Sequence, residues 1–120
     1  MIKKVLIIED DVFLVKVMQQ RFEKSGFETS ILTDGSKAVE TAKTFRPFAI
    51  LVDLIMPEVD GFTSIENLKA NEETKDIPII VTSNLSTDDD IVKAKRLGVN
   101  HYFIKSNTDL SKIVDYIEKL

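Results

Sequence analysis

The sequence predicts an α/β fold in which one parallel sheet carries helices on both faces. Five short apolar segments alternate along the chain with five segments whose apolar residues recur at helical spacing. Repeated strand-then-helix units of this kind are typical of doubly wound parallel sheets. A chain of 120 residues is long enough to bury a core of its own, so we expect one domain over residues 1–120.

The first two strand–helix units occupy the amino-terminal third of the chain. Residues 5–8 form an unbroken apolar run, which predicts a buried strand. The helix that follows ends at the Ser25-Gly26 pair. Residues 28–32 begin polar, as an edge strand does, and residues 34–36, Asp-Gly-Ser, are expected to start the second helix.

The central strand is predicted over residues 48–52, which run straight into Asp53. Pro57 and the Asp60-Gly61 pair are turn residues that end this strand before the third helix. Asp53 therefore lies at the carboxyl end of a central strand, where an unpaired carboxylate is costly. For a lone aspartate, the simplest explanation is a cap on the following loop.

The last two units follow the same pattern. A fourth strand over residues 77–81 leads into Thr82-Ser83, and Ser86-Thr87 with three following aspartates starts the fourth helix. That helix ends at Leu97-Gly98, and a short strand over residues 102–104 precedes the last helix. The apolar residues expected on one side of the last helix are Leu110, Ile113, Val114, Ile117 and Leu120.

A second acidic cluster follows the first strand, because Glu9, Asp10 and Asp11 come directly after residues 5–8. A helix start explains Asp11, but it does not explain why two buried strands both end in carboxylates. Ligands of open parallel sheets bind at the carboxyl ends of strands, so Glu9, Asp10 and Asp53 are expected to converge. Like charges roughly 4–6 Å apart repel one another. A hard divalent cation such as Mg²⁺ relieves that repulsion.

Two further polar residues follow strands at the same edge of the predicted sheet. Thr82 comes after the fourth strand, and Lys105 comes after the fifth. A phosphoryl group on a carboxylate requires a metal cation and an ammonium group near its oxygens, and a hydroxyl that donates a hydrogen bond. Asp can itself act as the nucleophile and form an aspartyl-phosphate.

The chain resembles the receiver domain of two-component response regulators. Four segments carry the resemblance, each at the end of its own strand: IIEDD, VDLIMPEVDG, IVTS and YFIK. The resemblance implies a flavodoxin-like (βα)5 fold with the strand order 2-1-3-4-5. That order is the one known for chemotaxis receivers, so it comes from the resemblance and not from the spacing of residues.

The resemblance also implies a metal site for Mg²⁺ (or Mn²⁺). Its direct ligands would be Asp10, Asp53 and the backbone carbonyl of Ile55, with Glu9 acting through water. No other cofactor is implied.

A phosphorylation site and a switch follow from the same resemblance. Asp53 resembles the phosphoacceptor, Lys105 the phosphate-pairing lysine, Thr82 the switch hydroxyl and Tyr102 the switch aromatic. The phosphoryl group would come from a histidine kinase or a histidine phosphotransfer protein. The output would pass to a downstream partner through the face of the fourth helix, fifth strand and fifth helix. Such a domain is a signalling module and catalyses only its own phosphorylation and dephosphorylation.

Two positions depart from the usual family pattern. Ser106 follows Lys105 where proline is common, and Ser83 follows Thr82 where alanine is common. A cis bond before a residue other than proline costs about 2.5–4 kcal/mol, so we expect the Lys105–Ser106 bond to be trans. The loop over residues 106–108 would then be rearranged so that Lys105 still reaches Asp53.

Two other functional classes are open to the same sequence. A phosphatase of the aspartyl-phosphate type would need an acid two residues after the nucleophile, where Ile55 stands. A flavin-binding protein would need a phosphate-binding loop after the first strand, where the acids at residues 9–11 would repel the phosphate.

Composition narrows the partners and the location that we expect. A net charge of −4 argues against direct nucleic-acid binding, and the lack of cysteine excludes disulfides and thiolate metal sites. No apolar run approaches the ~18 residues of a membrane span. The apolar run that follows the charged start of the chain is too short for a secretory signal. We therefore expect a cytoplasmic protein with no membrane partner.

Overall fold

The computed structural model describes residues 3–56 and 58–120, and Pro57, a predicted turn residue, lies outside them. The strands of the described chain are β1 (Lys4–Ile8), β2 (Glu28–Leu32), β3 (Ala49–Val52), β4 (Ile79–Ser83) and β5 (His101–Ile104). The helices are α1 (Val12–Lys24), α2 (Ala38–Phe45), α3 (Gly61–Ala70), α4 (Asp88–Arg96) and α5 (Leu110–Glu118), with a 3₁₀ turn over Lys105–Asn107. Strands and helices alternate, as predicted.

The five strands form one parallel sheet in the order β2-β1-β3-β4-β5, which confirms the predicted fold. The ends of the central strands are level, because Ile8 pairs with Val52 and Val52 pairs with Val81. The backbone continues this register by one residue, since the Asp53 N–H donates to the Ile8 carbonyl at 3.0 Å. Glu9 after β1, Asp53 after β3 and Thr82 near the end of β4 therefore meet at one edge of the sheet.

The core lies in two layers, one on each face of the sheet. Helices α2, α3 and α4 cover one face and α1 and α5 cover the other. Successive residues of the central strands alternate between these layers: Leu6 and Ile8 face α2 and α3, whereas Val5 and Ile7 face α1 and α5. Burial on both faces explains why these strands are unbroken apolar runs. No helix among the described residues is long and apolar enough to cross a membrane.

Both ends of α1 and the carboxyl end of α4 agree with the capping residues in the sequence. Asp11 caps α1, because its Oδ1 accepts hydrogen bonds from the N–H groups of Phe13 and Leu14, each at 3.1 Å. Gly26, after the end of α1, and Gly98, after the end of α4, have φ angles of 89° and 96°, a left-handed backbone that glycine adopts at little cost. Asp11 is thereby accounted for as a cap.

Two predicted details are wrong. Helix α2 begins at Ala38 and not at residues 34–36, because the Asp34 carboxylate accepts from the Ser36 N–H at 2.7 Å and from its hydroxyl, closing a turn before the helix. The same two hydrogen bonds lower the pKa of Asp34. Leu120 follows the end of α5 and is 40% exposed, so it does not extend the packed face of that helix.

Candidate functional site

Three acids converge where β1 and β3 end, as the sequence predicted. Glu9, Asp10 and Asp53 each offer a carboxylate oxygen, and these oxygens all lie within 4.8 Å of one another. Their environments differ, because Glu9 and Asp53 are only 2% and 6% exposed whereas Asp10 is exposed. The site therefore has two buried acids, Glu9 and Asp53, and one acid, Asp10, that is exposed to solvent.

Glu9 is held in place by hydrogen bonds and charges on both of its oxygens. Its Oε2 accepts from the Asp11 N–H at 3.1 Å, and its Oε1 lies 2.5 Å from the ammonium of Lys105. Burial is the largest influence on this carboxyl and raises its pKa, and the charge of Asp53 adds to that rise. Lys105 and the Asp11 N–H act in the opposite direction but do not reverse it. A cation near Glu9 and Asp53 is what this pair of acids requires.

Lys105 supplies such a cation from the end of β5. Its Nζ lies 3.1 Å from Asp53 Oδ2 and also contacts Glu9. Burial alone would lower the pKa of Lys105, but the two carboxylates outweigh that influence and raise its pKa above the ordinary value. The direct pairing of Glu9 with Lys105 was not predicted; the family resemblance implied for Glu9 a role in the metal site, through water.

The loop after Lys105 has the form expected for a chain without proline at residue 106. The Lys105–Ser106 peptide bond is trans, and residues 105–107 form the 3₁₀ turn. The side-chain oxygen of Asn84 accepts from the Ser106 N–H at 3.1 Å, which ties this turn to the loop after β4. Lys105 still reaches Asp53, so both parts of the prediction are confirmed.

The loop after β3 fixes Asp53 from the other side. The Ile55 N–H donates to Asp53 Oδ1 at 3.2 Å, while the Ile55 side chain is 55% exposed at the rim of the cleft. Gly61 packs so closely on this segment that an added Cβ would lie 2.3 Å from the Asp53 carbonyl oxygen and 2.6 Å from Leu54 Cα. Sequence analysis identified Gly61 only as a turn residue. The signal in the sequence that could have indicated this close contact is the glycine directly after Asp60, the residue that caps α3.

Thr82 contributes a buried hydroxyl that has no hydrogen-bond partner in the described part of the chain. The residue follows Val81 in β4 and is 1% exposed, and its Oγ1 makes no hydrogen bond within residues 3–56 and 58–120. A buried hydroxyl without a hydrogen bond is costly and uncommon in folded proteins. Because Val52 pairs with Val81, Thr82 lies level with Asp53 on the neighbouring strand.

Tyr102 connects the site with α4. It lies on β5 opposite Val81, is half-buried against the core layer of α4, and donates its hydroxyl hydrogen to the Leu85 carbonyl at 2.6 Å. Burial raises the pKa of Tyr102, and the negative charges of Asp90 and Asp53 raise it further. Its ring is thus turned inward, toward the loop between β4 and α4.

The donor set at this edge fits a hard divalent cation. Carboxylate and carbonyl oxygens are the ligands that Mg²⁺ and Mn²⁺ prefer, and three carboxylates offer oxygens here within one coordination sphere of each other. The cleft is open to solvent beside Asp10 and Ile55, which leaves room for the several waters that Mg²⁺ retains.

Comparison with known proteins identifies the family. The model of the response regulator receiver domain matches residues 5–118. The chain is 32% identical over 103 residues to the polar-differentiation response regulator DivK of Brucella anthropi, covering 86% of this chain and 84% of DivK. It is 34% identical over 102 residues to the transcriptional regulatory protein PrrA of Mycobacterium leprae, covering 85% of this chain but only 43% of PrrA. The chain therefore spans less than half the length of that regulator.

Solved structures agree in fold. The Mn²⁺-bound form of response regulator Rcp1 is 30% identical with a TM-score of 0.81, covering 98% of this chain and 93% of that one. The phosphorylated cyanobacterial phytochrome response regulator RcpA is 27% identical with a TM-score of 0.82, covering 99% and 91%. A sensor kinase receiver domain from Pseudomonas aeruginosa, with magnesium in its active-site cleft, is 22% identical with a TM-score of 0.82, covering 99% and 97%. This chain belongs to the response regulator receiver domains of two-component signalling.

Proposed function

We propose that this receiver domain accepts one phosphoryl group on Asp53 from a histidine kinase or a histidine phosphotransfer protein. The observation that carries the proposal is the ion pair of 3.1 Å between Lys105 Nζ and Asp53 Oδ2, buried at the end of the central strand among further acids. In the proposed step an Asp53 oxygen forms a bond to phosphorus. The phosphorus–nitrogen bond to the donor histidine breaks, and its electron pair stays on the imidazole nitrogen.

Two side chains of the site would stabilise the added phosphoryl group. The Lys105 ammonium, already beside Asp53, would pair with a phosphoryl oxygen. The Thr82 hydroxyl, which has no partner within the described residues, would donate a hydrogen bond to another. Phosphorylation would thus satisfy a hydroxyl donor that has no partner among the residues the structure describes.

A divalent cation, Mg²⁺ or Mn²⁺, would complete the site. Asp10, Asp53 and the Ile55 carbonyl would be its direct protein ligands, with Glu9 acting through water. When bound, the cation supplies positive charge against the phosphoryl oxygens. The cation would also stabilise the charged forms of Glu9 and Asp53, because it reduces the repulsion between these two buried carboxylates.

The output of the domain would pass through the face formed by α4, β5 and α5. Thr82 is the last residue but one of β4, and Tyr102, on the neighbouring strand, contacts the loop that leads into α4. Movement of the Thr82 hydroxyl toward a phosphoryl oxygen would change the space open to Tyr102. A net charge of −4 favours a protein rather than nucleic acid as the downstream partner. We further propose that residues 1–120 form one receiver domain in the cytoplasm, and that it catalyses only its own phosphorylation and dephosphorylation.

Incubation with acetyl phosphate and Mg²⁺, followed by intact mass spectrometry, tests this function. The wild-type protein should gain the mass of one phosphoryl group, and Asp53→Asn should gain none. Asp11→Asn is the matched control, because asparagine caps a helix as well as aspartate does and Asp11 serves as the cap of α1. An undiminished adduct in the Asp53→Asn variant would refute the assignment.

A further inference from the structure

Asn84 joins two loops of the site, although it has no part in the phosphorylation chemistry described above. It follows β4 directly, is exposed, and lines the same cleft as Asp53 and Lys105. Its side-chain oxygen accepts a hydrogen bond from the Ser106 N–H at 3.1 Å. Because Ser106 belongs to the 3₁₀ turn that begins at Lys105, this bond links the loop after β4 to the turn that carries the lysine.

The turn that carries Lys105 is held only weakly by its own backbone. Its closing hydrogen bond, from the Thr108 N–H to the Lys105 carbonyl, is long at 3.4 Å, and both Ser106 and Asn107 are exposed. A lysine side chain is a flexible stem, so the region that its ammonium can reach depends on the backbone that carries it. A hydrogen bond from outside the turn therefore limits where the Lys105 ammonium can lie.

Asn84 can provide such support because the backbone on either side of it is fixed. The hydroxyl oxygen of Ser83, a fully buried residue of β4, accepts from the Leu85 N–H at 3.2 Å. The Leu85 carbonyl in turn accepts from the Tyr102 hydroxyl at 2.6 Å. The residues before and after Asn84 are thus both anchored by side-chain hydrogen bonds.

The two departures from the usual family pattern meet at Asn84. Ser83 stands where alanine is common, and Ser106 stands where proline is common. Alanine has no hydroxyl to accept from the Leu85 N–H, and proline has no N–H to donate to Asn84. Neither hydrogen bond could form with the usual residue. This chain therefore has a hydrogen-bonded link at the place where proline usually shapes the turn.

We propose that Asn84 is a positioning residue for Lys105. Through the Ser106 N–H it holds the turn so that the lysine ammonium stays beside Asp53 and can pair with a phosphoryl oxygen there. Ser83 supports this role, because it fixes the loop that carries Asn84. The inference deepens the proposed function, and its kinetic test rests on that function. A hydrogen bond of ordinary net strength corresponds to about threefold to tenfold in a rate or an equilibrium.

An NMR test of the proposal needs neither phosphorylation nor metal. In EDTA, the Ser106 amide should exchange with water about threefold to tenfold faster in Asn84→Ala than in the wild type. The two Cε protons of Lys105 should have separate shifts in the wild type, where the side chain is held, and a smaller separation in Asn84→Ala. Asn107→Ala is the matched control, since it removes an exposed asparagine of the same turn. Lys105 signals that are the same in Asn84→Ala and the wild type would overturn the proposal.

Phosphorylation kinetics give a second readout. With acetyl phosphate and saturating Mg²⁺, Asn84→Ala should be phosphorylated about threefold to tenfold more slowly than the wild type, and Asn107→Ala at the wild-type rate. The loss should remain at saturating Mg²⁺, because Asn84 acts through the lysine and not through the metal. A loss that higher Mg²⁺ removes would assign Asn84 to the metal site and contradict the positioning role.

Changes at residue 106 test the hydrogen bond itself. Ser106→Ala keeps the N–H, so Asn84→Ala should slow phosphorylation by the same factor in that background. Ser106→Pro removes the N–H, so Asn84→Ala should have no further effect there. Thermal melting checks that each variant is folded, and if Ser106→Pro is not, the Lys105 signals of Asn84→Ala and Asn107→Ala decide. An equal loss in the alanine and proline backgrounds contradicts the proposed link.

The two readouts separate this proposal from the proposed function. If the wild type gains no phosphoryl group, the proposed function fails, and the Lys105 signals still decide whether Asn84 positions the lysine. If the wild type is phosphorylated but Asn84→Ala behaves as Asn107→Ala does in both readouts, the positioning role alone fails.

Discussion

Replacement of Lys105 by methionine isolates what the cation contributes to the site. The substitution keeps most of the apolar stem and removes the charge that contacts both Glu9 and Asp53. Without the ammonium, two buried carboxylates face each other, and no other described side chain brings a cation into contact with them. We expect Lys105→Met to be destabilised at pH 7 in the presence of EDTA.

The structure sets the size of that loss. Removing one partner of a fully buried ion pair costs about 3–5 kcal/mol. The Lys105 side chain is 18% exposed while those of Glu9 and Asp53 are 3% and 7% exposed, so water can partly replace the ammonium. We therefore expect about 2–3 kcal/mol, or a melting temperature lower by roughly 8–12 °C for a domain of this size.

The loss should depend on pH in a defined direction. Burial raises the pKa of Glu9, and Lys105 opposes that rise, so the variant should have a still higher Glu9 pKa. A carboxyl with a raised pKa contributes stability while it is protonated, and that stability is lost as pH rises through the raised pKa. The loss of stability in Lys105→Met is therefore complete at a pH above the Glu9 pKa of the variant, and it becomes smaller as the pH falls below that pKa.

Urea unfolding followed by circular dichroism measures the difference in the free energy of unfolding between the wild type and Lys105→Met. The measurement is made at pH 7 and at mildly acidic pH, with EDTA and with Mg²⁺. Mg²⁺ should narrow the deficit, because the carboxylates released from Lys105 become better metal ligands. Lys75→Met is the control, since Lys75 pairs with Glu72 at 3.0 Å on the surface, where an ion pair contributes about 0–1 kcal/mol. A deficit unchanged by both pH and Mg²⁺ would refute the electrostatic account of the site.

Three further predictions concern the metal, the switch and the lifetime of the phosphoryl group. Asp10→Asn should weaken Mg²⁺ binding by about tenfold or more, while Asp11→Asn should not; equal losses by calorimetry would show that the wrong acid faces the site. Thr82→Val should raise the free energy of unfolding by about 1 kcal/mol, because it removes a buried hydroxyl that has no partner among the described residues. It should also reduce the phosphorylation-dependent NMR shifts around Tyr102, and shifts as large as in the wild type would contradict its role. Ile55→Asn should shorten the lifetime of the phosphorylated protein several-fold, because an amide at the rim can orient water where the exposed isoleucine cannot; an unchanged lifetime would count against it.

The convergence of the acids was predictable because it depends on backbone register alone. Parallel strands that end level bring the next residue of each to the same edge, so Glu9 and Asp53 had to meet once β1 and β3 were neighbours. The cap of α1 was predictable for a different reason, because it is local. Asp11 accepts hydrogen bonds from backbone N–H groups only two and three residues away. Strong local rules and one long-range rule thus account for most of the fold.

What the sequence did not reveal depends on side-chain choices between near-equal alternatives. Asp34 can start a helix or close a turn with Ser36, and the turn wins here. Lys105 is long enough to reach several oxygens, and its contact with Glu9 as well as Asp53 is a choice among side-chain conformations that the sequence does not specify. The Thr82 hydroxyl has no hydrogen-bond partner among the described residues, and that depends on how all the neighbouring side chains pack.

The most direct test of the central claim is to locate the phosphoryl group. Acyl phosphates are reduced by borohydride, so treatment of the protein after acetyl phosphate and Mg²⁺ converts a phosphorylated aspartate into homoserine at that position. Peptide mass spectrometry should find this conversion at residue 53 and at no other acid of the site. Conversion at Asp10, or none in a protein whose intact mass shows the adduct, would contradict the account.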